Sequence, residues 1–195
     1  MGNKSILFLR GEIGSGKTTL LKKHLAAAIP AAGGFFTRRI SDFGSIRGIE
    51  IMSAKEYLSE SRAEKTLICS FKDGVPSFNY EPMREYFNAD DKAPFYLFDE
   101  IGGIELLDPR FIGDFRGVME RGKPIIAVLK SCSKDFLPSR ALGSEHEYQA
   151  AYAEFCEMIK SFPQSKTAEY SGFKDSLCEK AVCGFIKENI YARFI

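Results

Sequence analysis

No apolar run in the 195-residue chain approaches the roughly 20 residues that span a bilayer, so no membrane-spanning helix is expected. Neither sign of charge is in excess. Lys and Arg total 27 against 26 Asp and Glu, and a net charge of +1 excludes strong global attraction to nucleic acid or an anionic membrane. Cysteine is sparse and odd in number. Cys69, Cys132, Cys156, Cys178 and Cys183 form no Cys-x-x-Cys pair, so reduced thiols are expected in place of disulfides or a zinc site. The two histidines, His24 and His146, lack ligand-spaced partners, and His24 is expected on the exposed side of the first helix. There is no repeat, low-complexity tract or composition shift, so residues 1–195 are expected to form one domain. Gly2 fits a myristoylation signal, but Ile6 stands where Ser or Thr is needed. The start runs straight into apolar residues, unlike a signal peptide, and a cytoplasmic protein is expected.

What is present begins with Gly11-Glu12-Ile13-Gly14-Ser15-Gly16-Lys17-Thr18, followed by Thr19. This is the phosphate-loop pattern of Gly, four residues, then Gly-Lys-Ser/Thr. Its glycines let the backbone curl so that successive N–H groups face phosphate oxygens. The helix that follows presents its positive end to the same anion. Lys17 would reach the β- and γ-phosphates, and the Thr18 hydroxyl would bind Mg²⁺. The context fits. Residues 5–9 are an apolar run, as a buried parallel strand should be, and Leu20, Leu21, Leu25, Ala28 and Ile29 recur at helical spacing.

Further along, residues 35–40 and 46–52 read as an antiparallel hairpin inserted into βαβ winding. Residues 53–65 read as a surface loop with a helical turn, 66–71 as a strand and 81–88 as a short helix. A second anchor is the apolar strand 94–98, which ends in Asp99-Glu100. An acid at the end of a neighbouring parallel strand completes the Mg²⁺ site, so Asp99 is assigned to the metal. Glu100, one residue on, is placed to align or deprotonate an attacking water. Residues 109–121 predict a helix, 125–130 a buried parallel strand, and 145–160 a helix with Tyr148, Phe155, Met158 and Ile159 in its apolar stripe. A last amphipathic helix lies within 173–194, with Leu177, Ala181, Val182, Phe185 and Ile186 expected to pack.

Five stretches together resemble one family. They are Gly-x-x-Gly-x-Gly-Lys-Thr-Thr at 11–19, Gly-Gly-Phe-Phe-Thr at 33–37, Arg-Gly-Ile at 47–49, Asp-Glu-Ile-Gly-x-x-Glu-Leu at 99–106 and Lys-Pro-Ile-Ile-Ala at 123–127. The chain resembles the thermophilic-type nucleoside-triphosphatase family over about residues 5–130. The resemblance implies a three-layer α/β fold with a mainly parallel, RecA-like sheet. It implies slow Mg²⁺-dependent hydrolysis of several nucleoside triphosphates, with Lys17 on the phosphates, Thr18 and Asp99 at Mg²⁺ and Glu100 as catalytic carboxylate. Three departures are visible. Gly103-Ile104 stand where the family usually has Pro-Met, Lys130 where it often has His, and Arg38-Arg39 where an acid usually follows.

Two other functions share the loop: a kinase passing the γ-phosphate to a small molecule, and a nucleotide-dependent switch. The pair Asp99-Glu100 favours water activation over a kinase. An Asn-Lys-x-Asp guanine-reading motif is absent. An arginine that touches the γ-phosphate would accelerate hydrolysis, and Arg38, Arg39, Arg47, Arg84 and Arg140 are candidates that the sequence does not rank. No nucleic-acid module is visible, and a monomer or weak oligomer is expected.

Overall fold

The computed structural model describes residues 5–43, 45–59, 66–72, 75–88, 92–130 and 145–193. Gly2, Cys132, Arg140 and parts of the 53–65 and 72–74 segments lie outside them. The core is sorted by the alternation of three apolar strands. In β1 (Ile6–Gly11), Ile6 and Phe8 join one apolar layer while Leu7 and Leu9 join another. β6 (Tyr96–Ile101) and β7 (Ile125–Lys130) divide in the same way: Tyr96, Phe98, Ile125 and Ala127 face the first layer, and Leu97, Ile126 and Val128 the second. A strand apolar on both faces must be covered twice, which is what parallel pairing with helices on both sides supplies. β7 lies between β6 and β1, parallel to both.

The first layer is closed by α3 (Glu81–Asn88), α4 (Phe111–Glu120) and α5 (Glu145–Ser161). Phe87, Phe98, Phe111 and Phe115 interlock there at centroid distances from 5.4 to 6.0 Å. The second layer is closed by α1 (Lys17–Leu25), α2 (Ala54–Ser59) and α6 (Ser176–Asn189). This is the expected three-layer α/β architecture.

The sheet is wider than the sequence alone suggests. β2 (Gly33–Asp42) starts parallel to β6, with Gly33 beside Tyr96 and Phe35 beside Phe98. Further along, the same strand runs antiparallel to β3 (Ser45–Met52). β4 (Thr66–Lys72) and β5 (Val75–Phe78) extend this antiparallel half, and β8 (Ser165–Glu169) pairs parallel to β1 at the far edge. The full order is β5-β4-β3-β2-β6-β7-β1-β8. The expected hairpin is therefore a continuation of the main sheet, because β2 belongs to both halves.

Other expectations are corrected locally. The helical turn expected within 53–65 is the short helix 54–59, and it is not purely surface: Ala54 is buried. In α6, Leu177 is 79% exposed and Ala181 faces solvent, while Cys178, Val182, Phe185 and Ile186 are buried. The Asp175 cap starts the helix at Ser176 and so sets which face turns inward. His24 is not on an open face: its ring sits against α6, with Nε2 2.9 Å from Glu179 and Nδ1 3.3 Å from the Cys183 sulfur. Among the described residues, no helix is long and apolar enough to cross a membrane.

Candidate functional site

The C-terminal ends of β1, β6 and β7 lie along one edge of the sheet, where open α/β folds bind ligands. The loop between β1 and α1 turns on Gly14 and Gly16, at φ 77° and 95°. Both values belong to the left-handed region that glycine enters without steric cost. Gly11 closes the strand where a Cβ would lie 2.2 Å from the Tyr170 carbonyl oxygen, so the loop is built against the segment after β8. Glu12 and Ile13 point outward, and their contribution is backbone. Ser15 N–H donates to the Glu12 carbonyl at 3.2 Å, and Thr19 lies exposed on the first turn of α1.

Lys17 is buried and its ammonium is held inside the loop. It donates to the carbonyls of Gly11 at 2.7 Å and Glu12 at 2.6 Å, and lies 3.4 Å from Ser15 Oγ. Burial lowers its pKa, and Arg39 lowers it further, against the opposing pull of Glu100 and Asp99. The Thr18 hydroxyl donates to Asp99 Oδ1 at 2.8 Å across 81 residues of sequence. The structure brings Lys17, Thr18, Asp99 and Glu100 into one neighbourhood.

Two oxygens of the kind that bind Mg²⁺, Thr18 Oγ1 and Asp99 Oδ1, converge here on the phosphate loop. Asp99 is almost wholly buried, and burial pushes its carboxyl up to about 7, with Thr18, Lys130 and Lys17 opposing the rise. A buried carboxylate whose charged form is disfavoured by burial and by the neighbouring Glu100 suits a divalent cation. Among the described residues there is no cluster of three or more His, Cys, Asp or Glu side chains for a metal. Mg²⁺ does not need one, since it commonly takes its other ligands from phosphate and water.

The raised Asp99 value has a consequence for stability. As pH rises from the usual carboxylate range towards 7, the unfolded chain has lost this proton while the folded chain still holds it. The unfolded state then binds fewer protons, so this group's contribution to stability falls with pH and levels off above 7. In EDTA, Asp99→Asn is expected to raise the melting temperature at pH 8 and to raise it less at pH 5, as scanning calorimetry would show. An equal or larger gain at pH 5 would contradict the buried-charge account.

Glu100 has a strained backbone. Its φ is 59°, uncommon for a residue other than glycine, and it sits where the β6–β7 register shifts between Phe98 and Ile101. The irregularity turns Glu100 out of the ladder beside buried Asp99, leaving it half-exposed. Arg39 of β2 lies 3.6 Å from Glu100 Oε1. Of the five candidate arginines, Arg38 pairs with Glu50, Arg47 with Asp42 and Arg84 with Asp114, and Arg140 lies outside the described residues. Geometry therefore ranks what the sequence could not.

The turn after Glu100 carries a second buried network. Glu105 accepts from the N–H groups of Gly102 at 2.6 Å and Gly103 at 2.8 Å. Tyr148 OH donates to the Gly102 carbonyl, and Tyr152 OH to that of Lys130. A Cβ on Gly103 would lie 2.7 Å from the Lys130 ammonium and 3.0 Å from Glu105 Oε2. Two of the three departures from the family pattern, Gly103 and Lys130, thus occupy one space. A proline at 103 would require the Lys130 head group to move and would remove the N–H that Gly103 donates to Glu105.

A curled glycine loop on a parallel strand, a buried lysine within it and a threonine–aspartate pair from a neighbouring strand define a phosphate-loop nucleotide-binding protein. A model of the NTPase family matches residues 6–147, and the chain belongs to that family. It is 28% identical to the nucleoside-triphosphatase THEP1 of Thermotoga petrophila over 145 residues, covering 67% of this chain and 75% of that protein. Over 136 residues it is 27% identical to the Thermotoga maritima protein of the same name, with 67% and 77% covered. The fold matches the solution structure of a human cancer-related nucleoside triphosphatase, with a TM-score of 0.59 at 18% identity over 94% of this chain and 98% of that one. It also matches the crystal structure of THEP1 from Aquifex aeolicus, with a TM-score of 0.57 at 20% identity over 93% and 99%.

Proposed function

We propose that the chain hydrolyses nucleoside triphosphates to diphosphate and phosphate with Mg²⁺, with low base discrimination. The observation that carries this reading is the 2.8 Å Thr18–Asp99 contact beside the loop that holds Lys17, with Glu100 set out next to it. In this reading, N–H groups of residues 11–19 cradle the phosphates and Lys17 engages the β- and γ-oxygens. Thr18 and Asp99 hold Mg²⁺, and the chemistry a bound Mg²⁺ supplies there is neutralisation of charge on the phosphate oxygens. Glu100 orients a water and takes its proton as the water oxygen attacks the γ-phosphorus and the β–γ bridging oxygen leaves with the diphosphate.

Arg39 is the positioning residue of this scheme. Its guanidinium restrains the Glu100 carboxylate and adds a cation near Lys17. Arg39→Ala is expected to lower kcat by about 10–10²-fold, the cost of a misplaced catalytic group. Arg39→Lys should recover part of the loss. An unchanged kcat in the alanine variant would remove Arg39 from the mechanism.

A phosphate-release screen over ATP, GTP, CTP and UTP, with and without Mg²⁺, tests the proposal. Release without any acceptor, lost in EDTA and in Lys17→Ala, is expected. Phosphate transfer seen only when an acceptor is added would identify a kinase instead.

A further inference from the structure

The segment after β8 is tied down in a way that holds an aromatic ring in water. Tyr170 N–H donates to the Arg10 carbonyl at 2.7 Å and so continues the β8–β1 ladder. Its carbonyl abuts Gly11, its ring is buried, and its hydroxyl is 4.0 Å from where a Gly16 Cβ would sit. Asp175 then fastens the turn. It accepts from Ser171 N–H at 3.1 Å, Ser171 Oγ at 3.0 Å and Cys178 N–H at 3.0 Å. Its own N–H donates to the Gly172 carbonyl at 3.0 Å, and Gly172 sits at φ 119°. These bonds stabilise the Asp175 carboxylate and hold its pKa down. At the tip of this fixed turn stands Phe173, 93% exposed.

Burying a phenyl ring would stabilise the fold, and this turn does the opposite. Phe173 lines a cleft with Gly16, Thr19, Lys23, Tyr170 and Glu179. The cleft therefore opens directly off the phosphate loop and the first turns of α1. The sheet order gives it a direction. Asp99 and Glu100 lie on β6, reached from β1 through β7; Phe173 follows β8, on the other side of β1. A triphosphate whose γ end faces Glu100 and whose chain follows the loop carries its nucleoside out on the β8 side.

We propose that the 170–175 turn is the nucleobase platform of the site, with the base stacked on Phe173. The proposal rests on reading residues 11–18 as the triphosphate site. Stacking suits every base, because each has a π-face, so an aromatic platform binds nucleosides without reading their edges. The charged groups of the cleft are already engaged with one another: Lys23 donates to Glu179 at 2.7 Å, and Glu179 also meets His24. The platform thus gives a structural cause for low base discrimination, with purines held more tightly than pyrimidines through their larger rings.

The test uses the full chain and inorganic tripolyphosphate, which has the phosphates and no base. Phe173→Ala is expected to raise Kd for ATP, GTP, CTP and UTP by about 5–150-fold, the equivalent of about 1–3 kcal/mol of lost stacking. It should leave tripolyphosphate binding unchanged, whereas Lys17→Ala weakens both. The chain has no tryptophan, so Phe173→Trp places a single reporter in the turn. Its fluorescence should change with each nucleotide and not with tripolyphosphate, and its Kd should match that of the parent. Unchanged nucleotide affinity in Phe173→Ala, with Lys17-dependent binding intact, would overturn the platform alone. Equal weakening of nucleotide and tripolyphosphate would also overturn it, since the turn would then support the loop and not the base. Absence of Lys17-dependent binding of either ligand would overturn the platform together with the reading of the loop.

Discussion

Glu100→Gln is expected to bind nucleoside triphosphate as tightly as the parent and to hydrolyse it about 10²–10⁴-fold more slowly, the range that a positioned general base contributes. The substitution keeps the shape of the side chain and removes its ability to accept a proton from water. It leaves Lys17, Thr18 and Asp99 unaltered: Lys17 bonds the Gly11 and Glu12 carbonyls and Thr18 bonds Asp99, none of them through Glu100. Binding is therefore expected to survive. Arg39 would lose the charge it now faces at 3.6 Å, which leaves the mouth of the loop more positive and favours the anion. Single-turnover phosphate release, with nucleotide affinity measured separately, distinguishes the two quantities. Undiminished hydrolysis in this variant would assign proton transfer to another group. Equal losses in affinity and turnover would make Glu100 a structural member of the site.

The second large effect concerns folding. Gly34 has φ 88°, and a Cβ there would lie 2.3 Å from the Leu97 carbonyl oxygen, its partner in the parallel pairing of β2 with β6. Alanine would meet two penalties at once, a left-handed backbone and a collision with backbone that no rotamer can relieve. The position is also where the parallel half of the sheet joins the antiparallel half. Gly34→Ala is expected to cost about 3–5 kcal/mol, at the upper end for single substitutions. Gly113 in α4 is the control. It is exposed, and a Cβ there would have nothing within 4 Å, so Gly113→Ala should stabilise by up to about 1 kcal/mol through helix propensity. Urea midpoints of the two variants should move in opposite directions. A mild effect at Gly34 would mean that β2 shifts away from β6 without loss of cooperativity.

Much of this was legible in the residues. The phosphate loop is a local motif whose geometry follows from its own glycines. β1, β6 and β7 are apolar at successive positions, so pairing, layers and the location of Asp99 could all be read from them. What escaped reading depends on partners distant in sequence. β8, Ser-Lys-Thr-Ala-Glu, has almost no apolar content and exists because β1 offers it an edge. β5 contains a proline, and it is an edge strand, where proline is tolerated. The Arg39–Glu100 pair joins positions 61 residues apart by number and owes its contact to the local irregularity at Glu100. No residue pattern announces a glutamate at positive φ. The shared space of Gly103 and Lys130 was visible as two separate oddities and became one only when the chain was folded.

The packing of Tyr170 on Gly11 also bears on the order in which the protein becomes competent. β1 is synthesised before β7 and β8, the strands it lies between, whose residues 125–130 and 165–169 emerge much later. Pairings of such long sequence separation slow folding, because loop-closure entropy is spent before the contacts form. A nascent chain ending before residue 165 lacks the strand and the tyrosine against which the phosphate loop is set. The loop is encoded at residues 11–18 and finished at residues 165–170, so nucleotide added during translation should find no complete cradle until the latter residues have left the ribosome.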